Sequence, residues 1–125
     1  SRDLGEHFAR ISGLDSGVCI CLTALLGSDT VTGVPAFARL IRHIRRDESS
    51  HVKKSRTHAV YLGFDHADFG AAYELTRGGL VKMLEPIAPD FQVMGVDPDR
   101  LFARLLYHNS SKNIAEDLDN RSVPL

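Results

Sequence analysis

Leu4, Phe8, Ile11, Asp15, Val18, Leu22 and Leu25 recur at alternating steps of four and three. That is the spacing of one helix face packed in a bundle, and it predicts a helix from about Asp3 to Gly27. Every position on the stripe is apolar except Asp15. Gly13 and Gly17 flank it, each costing about 1 kcal/mol against Ala within a helix. Glycines there would let a second helix, a ligand or a metal approach the backbone. The Gly27-Ser-Asp-Thr and Thr32-Gly33 segments predict a loop, and Pro35 suits the first turn of the next helix. That second helix is expected from about Val34 to Leu62, ending at Gly63. Its stripe reads Phe37, Ile41, Ile44, Glu48, His51, Ser55, His58 and Leu62. The ends of this seam are apolar and its middle is ionisable.

Asp65 or Asp68 is positioned to cap a third helix through Phe69, Tyr73, Leu75, Leu80, Val81 and Leu84, closing near Pro86 and Pro89, with a bend expected at Gly78-Gly79. Asp97-Pro98 reads as an N-cap followed by a proline in the first turn. It predicts a fourth helix carrying Leu101, Phe102, Leu105 and Leu106 and ending among His108, Asn109 and Ser110. The segment from Ala115 to Leu125 is polar and is expected to be a frayed tail, leaving residues 1–114 as the folded domain. No strand, repeat or low-complexity tract is evident, so the expected class is all-α.

Composition narrows the picture only slightly. With 125 residues, 43% of them hydrophobic and 25% charged, the chain suits one globular domain. Its net charge of -1 gives no electrostatic reason to expect nucleic acid or an anionic membrane as partner. Arg42, Arg45 and Arg46 form a cationic run, but Asp47 and Glu48 follow at once, which predicts a solvated helix face. Cys19 and Cys21, two apart on a helix, point about 200° from each other and cannot easily share a metal or a disulfide. They read as small apolar fillers in a reducing, cytoplasmic compartment. No run of about 18 uninterrupted apolar residues is present. The opening Ser-Arg-Asp-Leu has neither an initiator Met nor a signal-peptide layout, and it predicts that the chain belongs to something longer.

Candidate chemistry lies in the middle of the second helix. Glu48 and His51, three apart, share a helix face. A Glu-x-x-His pair can present a carboxylate and an imidazole to a metal from one side. Such pairs occur by chance in many helices. This one sits on the apolar seam, where a charge is costly unless paired or metal-bound. Asp15, at the midpoint of its own seam, is the expected third ligand. Its rival Glu6 falls off the stripe, near enough to His7 and Arg10 for surface pairing. His58, two turns after His51, could be an outer-shell group or line a substrate tunnel, and its default role is a packed core histidine. His7, His43, His66 and His108 are expected to be structural or exposed. Tyr61, Tyr73 and Tyr107 would be redox relays only if they faced the metals, and core packing is their default role.

The segment Phe37-Ala-Arg-Leu-Ile-Arg-His-Ile-Arg-Arg-Asp-Glu-Ser-Ser-His-Val52 resembles the second metal-binding helix pair of the ribonucleotide reductase small-subunit family. It is similar also to the ligand-binding oxidases built on that ferritin-like scaffold. Those proteins carry (I/L)-x-R-D-E-x-x-H, which Ile44-Arg-Arg-Asp-Glu-Ser-Ser-His51 fits, and Gly95-Val-Asp-Pro-Asp-Arg-Leu-Phe102 is similar to the turn and helix that follow. The likeness extends over about residues 8 to 110, with only the central eight specific. It implies a ferritin-like half-bundle of two long helices plus two C-terminal helices. Glu48 and His51 would be metal ligands, and Asp47 would match an aspartate that hydrogen-bonds a metal-bound histidine of the other half. Asp15 stands near the position of a family glutamate, with a side chain one methylene shorter.

The family's first carboxylate and first Glu-x-x-His are not in this chain, so a missing N-terminal half, a second copy (a homodimer) or another chain would have to complete the site. The resemblance then implies two iron ions, or a manganese–iron pair, activating dioxygen in an oxidase or monooxygenase acting on a small molecule. Different expectations attach to a metal-free helical interaction domain, to a degenerate ferritin-like remnant and to a metal-storage protein. The first two predict Glu48 and His51 satisfied by basic partners, and the last predicts metal without a closed organic-substrate pocket.

Overall fold

The computed structural model describes residues 2–107, and among these the chain is all-helical with no strand. Helix α1 spans Arg2–Leu26, α2 is a single turn over Asp29–Thr32, and α3 spans Pro35–Tyr61. A 3-10 turn, His66–Asp68, leads into α4, Phe69–Leu84. A second 3-10 turn, Glu85–Ile87, precedes α5, Ala88–Val93, and α6 covers Pro98–Tyr107. The expected end of the last helix among His108, Asn109 and Ser110, and the expected tail Ala115–Leu125, lie outside the described residues.

Local signals account for these boundaries. Ser28 caps α2 by accepting from the Thr30 amide at 3.2 Å, and its hydroxyl donates to the Met94 carbonyl at 2.6 Å. Pro35 opens α3 in its first turn. Gly63 follows α3 at φ +94°, a backbone conformation open to glycine at little cost. Of the two candidate caps for the third helix, Asp68 stands at the start of α4 but makes no side-chain cap, and Asp65 caps the preceding 3-10 turn instead, accepting from the Ala67 amide at 2.9 Å. Helix α4 runs through Gly78-Gly79 without interruption.

Contacts along α1 give the layout. Gly5 lies by Ala59, Ser12 bonds Val52, Cys19 Sγ is 3.9 Å from Ser49 Oγ, and Arg45 reaches Thr23. One number rises as the other falls, so α1 and α3 are antiparallel. Against α4 the numbers rise together. Gly13 meets Tyr73, Ser16 bonds Arg77, and Gly17 meets Leu80, so α1 and α4 are parallel. Helix α6 closes one end, where Ile20, Leu80, Val81, Phe91, Val96, Leu101 and Leu105 form an apolar cluster. Ala9, Ala59, Phe69, Ala72 and Tyr73 form a second.

The buried faces are not those the apolar stripes predicted. Helix α1 buries Gly5, Ala9, Ser12, Gly13, Ser16, Gly17, Cys19 and Ile20, while Leu4 is 46% exposed. Helix α3 buries Ala38, Ile41, Ser49, Val52, Ser55 and Ala59, leaving Phe37 and Ile44 exposed. At 100° per residue this turns α3 by roughly 70° from the predicted orientation, and α1 further still. Small side chains decide the matter. A Cβ on Gly13 would stand only 3.1 Å from the Tyr73 Cα, so α4 packs where only glycine leaves room.

A polar seam runs through the same interface. Tyr73, fully buried, exchanges a hydrogen bond with the Ser12 hydroxyl, which also donates to the Val52 carbonyl at 3.2 Å. This links α4, α1 and α3. Tyr73→Phe is expected to lower stability by about 1 kcal/mol, read from the urea midpoint with an unchanged slope. No loss would mean that the hydroxyl pair contributes nothing net.

By length and composition alone Asp3–Leu26 is apolar enough to cross a membrane. In this fold it is the central helix, packed on both α3 and α4.

Candidate metal centre

Helices α1 and α3 run antiparallel from a short connection, so residues equally far from it come opposite each other. Asp15 stands about 17 Å from the end of α1 and Glu48 about 20 Å from the start of α3, from the helical rise. Their carboxyl groups meet, and His51, one turn beyond Glu48, joins them. One ligand atom from each of Asp15, Glu48 and His51 lies within 4.8 Å of the others. Donors bound at about 2.1 Å to one ion stand roughly 3–4 Å apart, so small rotamer changes would bring the three to bonding distance.

Asp15 and Glu48 are half-buried, and His51 opens the cluster to solvent, its side chain 58% exposed against 21% for Glu48. The His51 Nδ1 lies 3.5 Å from Glu48 Oε1, too far for a hydrogen bond but close enough for charge attraction. The Asp15 carboxyl is pushed up to about 6 from an ordinary 3.8. Burial is the largest cause. The Glu48 charge and a hydrogen bond to Glu48 raise it further, and His51 opposes them. Two carboxyls facing one another in a half-buried place make the second ionisation harder than the first.

The other sequence candidates are distributed as follows. Glu6 pairs with Arg10 at 2.9 Å on the surface and stays out of the cluster. Asp47 is exposed beside Glu48. His58 is not a core histidine: it is exposed, its ring 5.4 Å from that of Phe8. Seven residues separate it from His51, about 10 Å along the helix. Tyr73 is core, as expected, whereas Tyr61 and Tyr107 are 87% and 78% exposed. Cys19 is buried, Cys21 is half-buried, and they form no disulfide. Arg42 and Arg46 lie on an exposed helix face, and Arg45 is half-buried, donating to the Thr23 hydroxyl at 3.4 Å. Two surface clefts, of about 440 and 380 Å³, open elsewhere; neither is lined by Asp15, Glu48 or His51.

Arg77 escaped the sequence reading. It is fully buried, donates from Nη2 to Ser16 Oγ at 2.8 Å, and stacks 5.6 Å over the Tyr73 ring. Its position between Tyr73 and Leu80, at helical steps of four and three, was the available signal. It ties α4 to α1 at Ser16, the residue next to Asp15.

Compared with known protein families, with curated proteins and with solved structures, the chain finds no match in any of the three.

Proposed function

We propose that this chain is a ferritin-like half-bundle contributing Asp15, Glu48 and His51 to a carboxylate–histidine di-metal centre of a dioxygen-activating oxidase or oxygenase. The observation carrying this reading is the convergence of those three donors, within 4.8 Å, midway along the two longest helices. Two carboxylates and an imidazole suit iron, manganese or zinc. The raised Asp15 carboxyl, pushed up to about 6 by burial and by the neighbouring Glu48 carboxylate, is a place where a cation would relieve repulsion between two acidic groups. The redox cycle with dioxygen would be supplied by bound iron, or by a manganese–iron pair.

This chain's own residues then hold and orient. Glu48, His51 and Asp15 would hold the ions, two carboxylates supplying negative charge and the imidazole a neutral nitrogen donor. Asp47, exposed beside them, would hydrogen-bond a ligating histidine from the other half. His58, stacked on Phe8, would lie along the approach to the ions. Small-molecule specificity would come from whatever covers the open side.

Chain prepared with Fe(II) or Mn(II) under nitrogen is expected to hold about one metal per chain. Glu48→Ala should lower affinity about 100-fold or more while leaving the helical spectrum intact. Metal well below stoichiometric and indifferent to that substitution would sink the reading. It would then favour a metal-free interaction module, the second reading, supported by the exposure of His51 and of Leu40 and Ile44. Oxygen uptake by the loaded protein with candidate reductants separates an oxidase from a store.

A further inference from the structure

We infer that a second copy of this chain docks on the open α1/α3 face, so that two Asp15–Glu48–His51 sets meet across a two-fold axis. The inference rests on the metal reading above and names the partner that completes the site.

The helix rotation described above leaves the long apolar stripes out of the chain's own core. On α1 they leave Leu4 46% exposed, with Ile11, Val18 and Leu22 half-buried. On α3 they bury Ile41 but leave Phe37 and Ile44 40% and 41% exposed, with Leu40 beside them 53% exposed. Scattered surface leucines need no explanation, but these share one side of two neighbouring helices and border the ligand cluster. Two helices of this length side by side present about 700 Å², from the helical rise and interaxial spacing. A stable interface buries about 800 Å² per partner.

The site's composition points to the same occupant. A di-metal centre in a helical bundle takes one Glu-x-x-His motif from each of two helices and one carboxylate from each of two others. One chain supplies one of each, and a two-fold duplicate supplies the rest. Such an interface is isologous, needing only one surface that complements itself. Apolar positions lie on both sides of the ligands, with Leu4 and Ile11 toward one end and Leu22 and Phe37 toward the other, which allows the site to fall on the axis. Charge balance adds a condition. Four carboxylates brought together repel one another unless cations lie between them, so docking and metal binding strengthen each other.

Sedimentation velocity of the full chain from 1 to 100 µM, in EDTA and in Mn(II), tests this. The expected result is a reversible dimer whose dissociation constant falls at least about tenfold in Mn(II). Ile44→Glu and Leu40→Glu, each at an exposed position that a folded monomer tolerates, should each give a monomer of unchanged helical content. A chain that stays monomeric at 100 µM in Mn(II) overturns the inference. So does a dimer indifferent to both substitutions. Metal held by such a monomer would leave the metal reading standing and point to an upstream segment or another protein as cover. A dimer broken by Leu40→Glu yet blind to Mn(II) would uphold the docking and defeat the metal reading.

Discussion

Metal-free chain carrying Asp15→Asn is expected to be more stable than wild type at pH 7 and to bind metal about 100-fold more weakly or worse. The Asp15 carboxyl ionises at about 6 in the fold against 3.8 ordinarily. Between those values the folded chain keeps a proton that the unfolded chain has lost. Stability therefore falls as pH rises from about 4 to 6, and it stays lower above that window. Asparagine removes the ionisation and with it the penalty. Because the site is partly open to water, the gain is about 1 kcal/mol, or about 4 °C in melting temperature, rather than the full linkage value. Urea unfolding in EDTA at several pH values reads it. The two proteins should nearly coincide at pH 4 and diverge by pH 7. If wild type were the more stable at pH 7, the carboxyl pair would carry no strain and the case for a cation site would lose its electrostatic support. Gaining stability while losing a ligand is the signature of a side chain kept for function.

Gly13→Leu should cost about 3 kcal/mol or more, a large fraction of the stability of a domain this size. A Cβ there already meets the Thr76 hydroxyl, which is hydrogen-bonded to the Ala72 and Tyr73 carbonyls. Behind it stands the Tyr73 backbone at 3.1 Å, which cannot swing aside. Helix α4 would have to withdraw from α1, loosening the Ser16–Arg77 and Ser12–Tyr73 hydrogen bonds between the two helices. Gly78→Ala is the matched control, because nothing lies within 4 Å of a Cβ at that site. There the ordinary preference of helices for alanine over glycine should raise stability by about 0.5–1 kcal/mol. Opposite signs for two glycine replacements in helices can come only from the packing. Circular-dichroism melts of the two variants decide it, and a Gly13 variant as stable as wild type would mean that α1 and α4 are not in close contact.

Much of this molecule was legible along the chain. The four-and-three spacing, Pro35, Gly63 and Asp97-Pro98 placed α1, α3, α4 and α6 within a residue or two wherever they are described, because a helix and its ends are governed by neighbouring residues. The short helices α2 and α5 went unseen, since a single turn has no period to detect. Glu48 and His51 could be paired from spacing alone, because residues three apart share a face in any helix. Asp15 was reached by its midpoint position on a hairpin partner. What the sequence could not decide was which face goes inward. Hydrophobicity favoured the stripes of Leu and Ile. Close packing instead favoured the glycines, serines and alanines, against which α3 and α4 could approach. Only the tertiary arrangement settles that contest, because it depends on the shape of a partner helix distant in sequence. The same contest buried Arg77 and left an apolar surface around Asp15, Glu48 and His51 facing outward.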